Sequence, residues 1–188
     1  MGLIAGTFAV LFAAMGPRSE PRITVLVYNS GAMPERTLAR AQRVASDILS
    51  QAGVSLVWRI ARAEDAVPSP AEIPLHLLQT RPAQLHHDAE GFAVLRRPYA
   101  AGDAYAGISL PAVLDTAVSL DAELPLVLGA ALAHEIGHVL LGSGAHSHGG
   151  VMSARMSRPE ILAAGRGELR FSAQQASLIR AEAVRRNR

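Results

Sequence analysis

The sequence predicts a single α+β domain: a twisted mixed β-sheet with a buried helix against it and further helices at the C-terminal end. Three observations predict it. A β-branched run, an amphipathic helical stretch and a second β-branched run follow one another between Arg22 and Ile60. A helix that is apolar nearly all round occupies the region after Asp121, and two shorter helical patterns end the chain. At 188 residues, 49% of them apolar, the chain is long enough for one ordinary core and short for two. One domain over 21–188 is therefore expected.

The elements can be justified in order. The opening stretch MGLIAGTFAVLFAAMGP carries no charge, and its apolar run from Leu3 to Met15 has the length of a signal-peptide core, short of the roughly twenty residues that a membrane span needs. Residues 1–17 are expected to be a signal peptide or an N-terminal anchor, and the chain to be exported, secreted or periplasmic. Attachment to a membrane through this segment is the alternative to cleavage. RITVLVYN, ending in Asn29-Ser30-Gly31, reads as a strand and a turn. PERTLARAQRVASDILSQAG sets Leu38, Ala41, Ala45, Ile48, Leu49 and Ala52 on one helical stripe, with Gly53 where the helix should stop. VSLVWRI is a second strand, and strand, helix, strand in this order suggests a crossover onto a parallel pair. Trp58, the only tryptophan, is expected in the core. IPLHLLQ and AYAGISL (Ala104–Leu110) are a third and a fourth strand. The stretch between them, with Pro82, Gly91, Pro98 and Gly102, reads as loop. His76 lies in its strand, and His86-His87-Asp88 in a surface loop.

Composition excludes some chemistry. There is no cysteine, so any soft metal must be held by imidazole and carboxylate. All eighteen basic residues are arginine, the net charge is only +2, and most arginines are scattered, so no nucleic-acid partner is expected. Arg180, Arg185, Arg186 and Arg188 close the last helix, where basic side chains complement the helix dipole and are usually solvated.

The informative segment is DAELPLVLGAALAHEIGHVLLG. Pro125 is tolerated in a first helical turn and Gly142 is a natural stop. Burying His134, Glu135 and His138 in so apolar a helix without partners is expensive. A bound metal resolves this, because two histidines four residues apart project from one helical face and can grip one ion. Glu135, beside the first of them, can reach a metal-activated water and take its proton. Beyond Gly142 the chain can turn back, and His146 and His148 are both within reach of the ion. Glu160, on the next helix, is a third possibility for the remaining ligand.

HEIGH followed by a glycine, then HS and a short run to VM, resembles the metzincin clan of zinc peptidases, and within it most nearly the matrixins. The resemblance covers about one tenth of the chain. Relative to the clan's pattern, Gly142 and His146 come one and two residues late, and Val151-Met152 comes early after the third histidine. The resemblance implies a zincin-like domain and Zn2+ held by His134, His138 and His146, the last selected by its HS context. It also implies Glu135 as the general base, with Met152 in a turn beneath the metal, preferred over Met156 because it follows Gly149-Gly150 directly. Four histidine ligands would close a tetrahedral site and leave no place for water. The implied function is zinc-dependent endopeptidase activity on a peptide or protein substrate. The alternative is a non-catalytic zinc-stabilised binding domain, which has no use for Glu135. Ala104–Leu110 is the strand expected at the sheet edge to receive an extended peptide, and Tyr99 or Tyr105 is the candidate oxyanion stabiliser. Matrixins are commonly held latent by a pro-segment cysteine. With no cysteine and few residues between Met15 and Ile23, no activating cut beyond leader removal is expected.

After the site, RPEILAAG reads as a short helix ended by Gly165. FSAQQASLIRAEAVRR reads as another, with Ser172 as N-cap and Gln175 as its reciprocal partner. Both are expected to be packing elements.

Overall fold

The computed structural model describes residues 20–29, 33–62, 68–83, 85, 86, 89–95, 104–142 and 144–188. The leader assigned to 1–17, Tyr99, His87 and Asp88 lie outside the described residues. The described chain runs β1 (Arg22–Tyr28), α1 (Glu35–Gln51), β2 (Ser55–Ile60), β3 (Glu72–Leu78), β4 (Gly91–Leu95), β5 (Ala104–Ser109), α2 (Leu110–Ser119), α3 (Leu124–Leu141), α4 (Arg158–Gly165) and α5 (Ala173–Arg186). This is the α+β arrangement expected: one mixed sheet, a buried helix carrying HEIGH, and helices at the C-terminal end.

The sheet has the order β2-β1-β3-β5-β4. β1 pairs in parallel with both β2 and β3, β3 pairs in parallel with β5, and only β4 is antiparallel. The strand-helix-strand unit therefore forms the predicted parallel pair. The α1 stripe is buried at Leu38, Ala41, Ala45, Ile48 and Leu49, with Ala52 just beyond it. Trp58 packs against the core while its Nε1 donates to Ser46 Oγ at 2.8 Å.

The structure departs from the sequence reading at four points. Residues 91–95 are not loop but the edge strand β4. Consequently the strand at 104–109, read as the edge, is interior, paired on both sides. Residues 110–119, unassigned from the sequence, form α2, which begins with Ser109 Oγ accepting from Ala112 N and a proline in its first turn. Nor are the terminal arginines all simply solvated. Arg186 is 8% exposed and donates to Glu182 Oε1, Pro70 O and Val139 O, tying α5 back to α3.

α3 is the hub of the domain, packing against α1, α2, α4, α5, β4 and β5. By length and composition alone it could cross a membrane, but 72% of it is buried inside the fold. That burial consumes the apolar surface that made it greasy all round.

Candidate metal centre

Two of the three clustered histidines are placed by helix geometry. His134 and His138 stand one turn apart on α3, and their Nε2 atoms are 3.0 Å apart. The third comes from the loop after α3. Gly142 ends the helix with φ 92, a left-handed value that a side chain would strain. The chain then brings His146 Nε2 to 3.0 Å from His138 Nε2. The three ligand atoms lie within 4.8 Å of one another, so the group could hold a metal ion. His148 and Glu160, the two rival ligands, are not in it. His148 is exposed. Glu160 is already engaged: Oε1 accepts from Gly150 N at 3.1 Å, and Oε2 from Ser157 N and Oγ.

The protonation pattern of the group follows from its contacts. A carbonyl only accepts, so the 2.8 Å contact between His134 Nδ1 and Val151 O requires the proton on Nδ1. In the neutral ring that leaves the Nε2 lone pair facing the cluster. Burial holds His134 below the ordinary histidine range, and it pushes His138 down to about 4 with the neighbouring imidazoles adding to the effect. Neutral imidazole is the form that ligates metal. One proton on His138 Nε2 could point at only one of its two neighbours, so the donor set is unsatisfied by its own members. A cation suits it. Tetrahedral zinc with Zn–N of about 2.0–2.1 Å places ligand nitrogens roughly 3.3–3.4 Å apart, a few tenths wider than these contacts.

Under the group, the interval between the two helical histidines must be small. A Cβ on Gly137 would stand 2.7 Å from Met152 Sδ and 2.9 Å from Phe171 Cε1. Met152 is fully buried against this point, whereas Met156 lines the cavity beside the histidines. Val151 fastens the loop from both sides, its carbonyl to His134 and its N–H to Arg170 O at 3.1 Å. Further hold comes from Gln175 Nε2, which donates to Ala145 O at 3.1 Å. The same Gln175 forms the predicted capping box with Ser172. The late helices therefore do more than pack, since they also hold the loop that carries His146.

Glu135 is 5% exposed, and its Oε2 is buried without a hydrogen-bond partner. Burial pushes its carboxyl up to about 8, and the charge of Glu90 adds to the shift. It lines, together with His134, His138 and His146, a cavity of about 430 Å³. β4 forms one wall. Gly91 is its point of closest approach: a Cβ there would meet Gly107 O at 2.7 Å, Glu135 Cγ at 2.8 Å and Glu135 Oε1 at 2.9 Å.

The cavity also contains Glu90, which the sequence reading missed, hydrogen-bonded through Oε1 to Thr116 Oγ1 at 2.8 Å. The available signal was Glu-Gly at the head of a short apolar run. Tyr105 does not line the cavity. It belongs to an aromatic row across the sheet, edge-on to His76 at 5.9 Å and to Phe92 at 6.2 Å. His76 itself stacks on Tyr28 at 4.4 Å, away from the histidine group.

No family model matches the chain, and no curated protein does. A solved structure, the metalloproteinase-II of Bacteroides fragilis, is similar to 86% of this chain at 12% identity with a TM-score of 0.49. This chain spans 52% of that protein's length. A likeness of that size leaves the chemistry to be argued from the residues themselves.

Proposed function

We propose that this chain is a matrixin-like, zinc-dependent endopeptidase with His134, His138 and His146 as ligands and Glu135 as the general base. The observation that carries the reading is the convergence of three imidazole nitrogens and an unpartnered, buried carboxylate oxygen on one cavity. Zinc in such a donor set supplies Lewis acidity, polarising a carbonyl and lowering the pKa of a water. The chain's own residues do the rest. Glu135 Oε2, free of protein partners, accepts the proton from an attacking water and delivers it to the leaving amine. Burial favours the protonated carboxyl, and a cation held by the three neutral imidazoles would favour release of its proton. β4 pairs with β5 on one side only, so its outer edge offers backbone groups to an extended peptide lying along the cavity.

The competing reading is a zinc-stabilised binding domain. A closed structural site takes four protein ligands, and among the described residues the group has three. A purely structural site also gives no return for a desolvated carboxylate at position 135. The experiment is zinc stoichiometry of the full chain together with hydrolysis of an unfolded protein substrate. Wild type should bind one zinc and lose hydrolysis to a chelator. Glu135→Gln should keep zinc and lose at least about a hundredfold in turnover. Undiminished turnover in that variant would exclude Glu135 as the base.

A further inference from the structure

We propose that Glu90 is a specificity-determining residue that makes the cavity beside the histidine group select a substrate side chain with an apolar stem and a cationic end, of the arginine or lysine type. The inference rests on the peptidase reading for its substrate, though not for the binding site itself.

The cavity is mixed in a particular way. Val127, Ala131 and Ile161, from α3 and α4, give it apolar walls, with Leu95 and Met156 adding to them. Such walls suit a chain of methylenes. Glu90 and Thr116 stand on the same lining, the hydroxyl donating to one carboxylate oxygen at 2.8 Å. Among the described residues no lysine or arginine lines the cavity and no cation pairs with Glu90. With no protein cation beside it among the described residues, the Glu90 carboxylate makes this part of the lining attractive to a cation and costly for an anion.

Glu90 is also held in place. Its carbonyl accepts from Ser109 N at 2.8 Å, and Gly91 next to it is wedged against Glu135 and the β5 backbone. Thr116 does not account for the carboxylate, because a threonine within a helix can satisfy its hydroxyl on the carbonyl four residues earlier. A half-buried carboxylate with one hydrogen bond from the protein has accepting capacity left for a guest. Charge-assisted hydrogen bonds are the strong ones, and arginine can make two in parallel.

The test uses the full chain and has a binding arm and a cleavage arm. In the binding arm, 1-aminohexane and the neutral 1-hexanol are titrated calorimetrically into wild type and Glu90→Gln, a variant that preserves shape and the Thr116 bond. Wild type should bind the amine about tenfold more tightly than the alcohol, and Glu90→Gln should bring the ratio to within about twofold. In the cleavage arm, N-acetylated peptides pair arginine with citrulline, its neutral isostere, beside the cut bond. The same preference and the same loss are expected.

Equal binding of amine and alcohol by wild type would overturn the proposal, and so would a preference that survives Glu90→Gln. Hydrolysis with no arginine preference leaves the peptidase reading standing and sinks this one. Glu90-dependent amine binding without hydrolysis does the reverse. A preference that follows only a free N-terminal amine, absent from the acetylated peptides, would overturn the side-chain assignment.

Discussion

The histidine group is assembled from two kinds of structure. His134 and His138 sit on α3, where a four-residue spacing on a buried helix brings two ring nitrogens to 3.0 Å, with an outside hold from Val151 O on His134 Nδ1. His146 sits on a loop whose course depends on residues far along the sequence. Gln175 holds Ala145, Arg170 holds Val151, and Glu160 holds Gly150. The helix half is dictated locally, whereas the loop half is a property of the whole C-terminal third. The two should therefore fail differently when damaged.

The most severe break should come on the helix side. His138 Nε2 touches both other nitrogens, so His138→Ala should reduce zinc affinity by more than about a hundredfold, beyond the usual cost of losing an outer-shell partner. Competition with a chromophoric chelator measures it. His146→Ala should also cost more than about tenfold, while His148→Ala should change affinity less than about twofold. The opposite ranking of the two loop histidines would show that the loop settles differently around the ion.

Gly137→Ala sharpens the comparison because it stresses the seam between the halves. The added methyl meets Met152 and Phe171 well inside contact distance. Overpacking of this kind costs about 1–3 kcal/mol, offset by up to about 1 kcal/mol of helix propensity. A lowered melting temperature together with weakened zinc binding is expected. Unchanged values for both would mean that helix and loop are not tightly engaged there.

The smallest effect should come from Gln175→Ala. It removes a capping interaction and the bond to Ala145 O, for a loss of about 1 kcal/mol in stability. Zinc affinity should fall less than in His146→Ala, because Val151 and Glu160 still hold the loop.

The same division explains what could be read in advance. HEIGH, the α1 stripe and the Ser172–Gln175 capping box all rest on spacings of three or four residues, and each appears where expected. β4 did not. Five residues headed by a glycine, in a stretch punctuated by proline and glycine, carry little alternation, and Gly91 is demanded by Glu135 across the cavity. α2 was overlooked because ten mostly apolar residues follow directly on a strand, although Ser109 and Pro111 marked its start. Which strand forms the edge depends on pairing order, a long-range property that no short window contains. Glu90 was invisible for the same reason, since Thr116, which partners it, lies 26 residues away.

Trp58, the single indole of the chain, lies on β2, at the opposite edge of the sheet from β4. Four strand spacings of about 4.8 Å put it roughly 19 Å from the strand that walls the cavity. Its emission therefore reports whether α1 and β2 are docked, from the sheet edge opposite the strand that walls the cavity. Unfolding curves followed by this fluorophore therefore compare one and the same docking event in zinc-loaded and stripped protein.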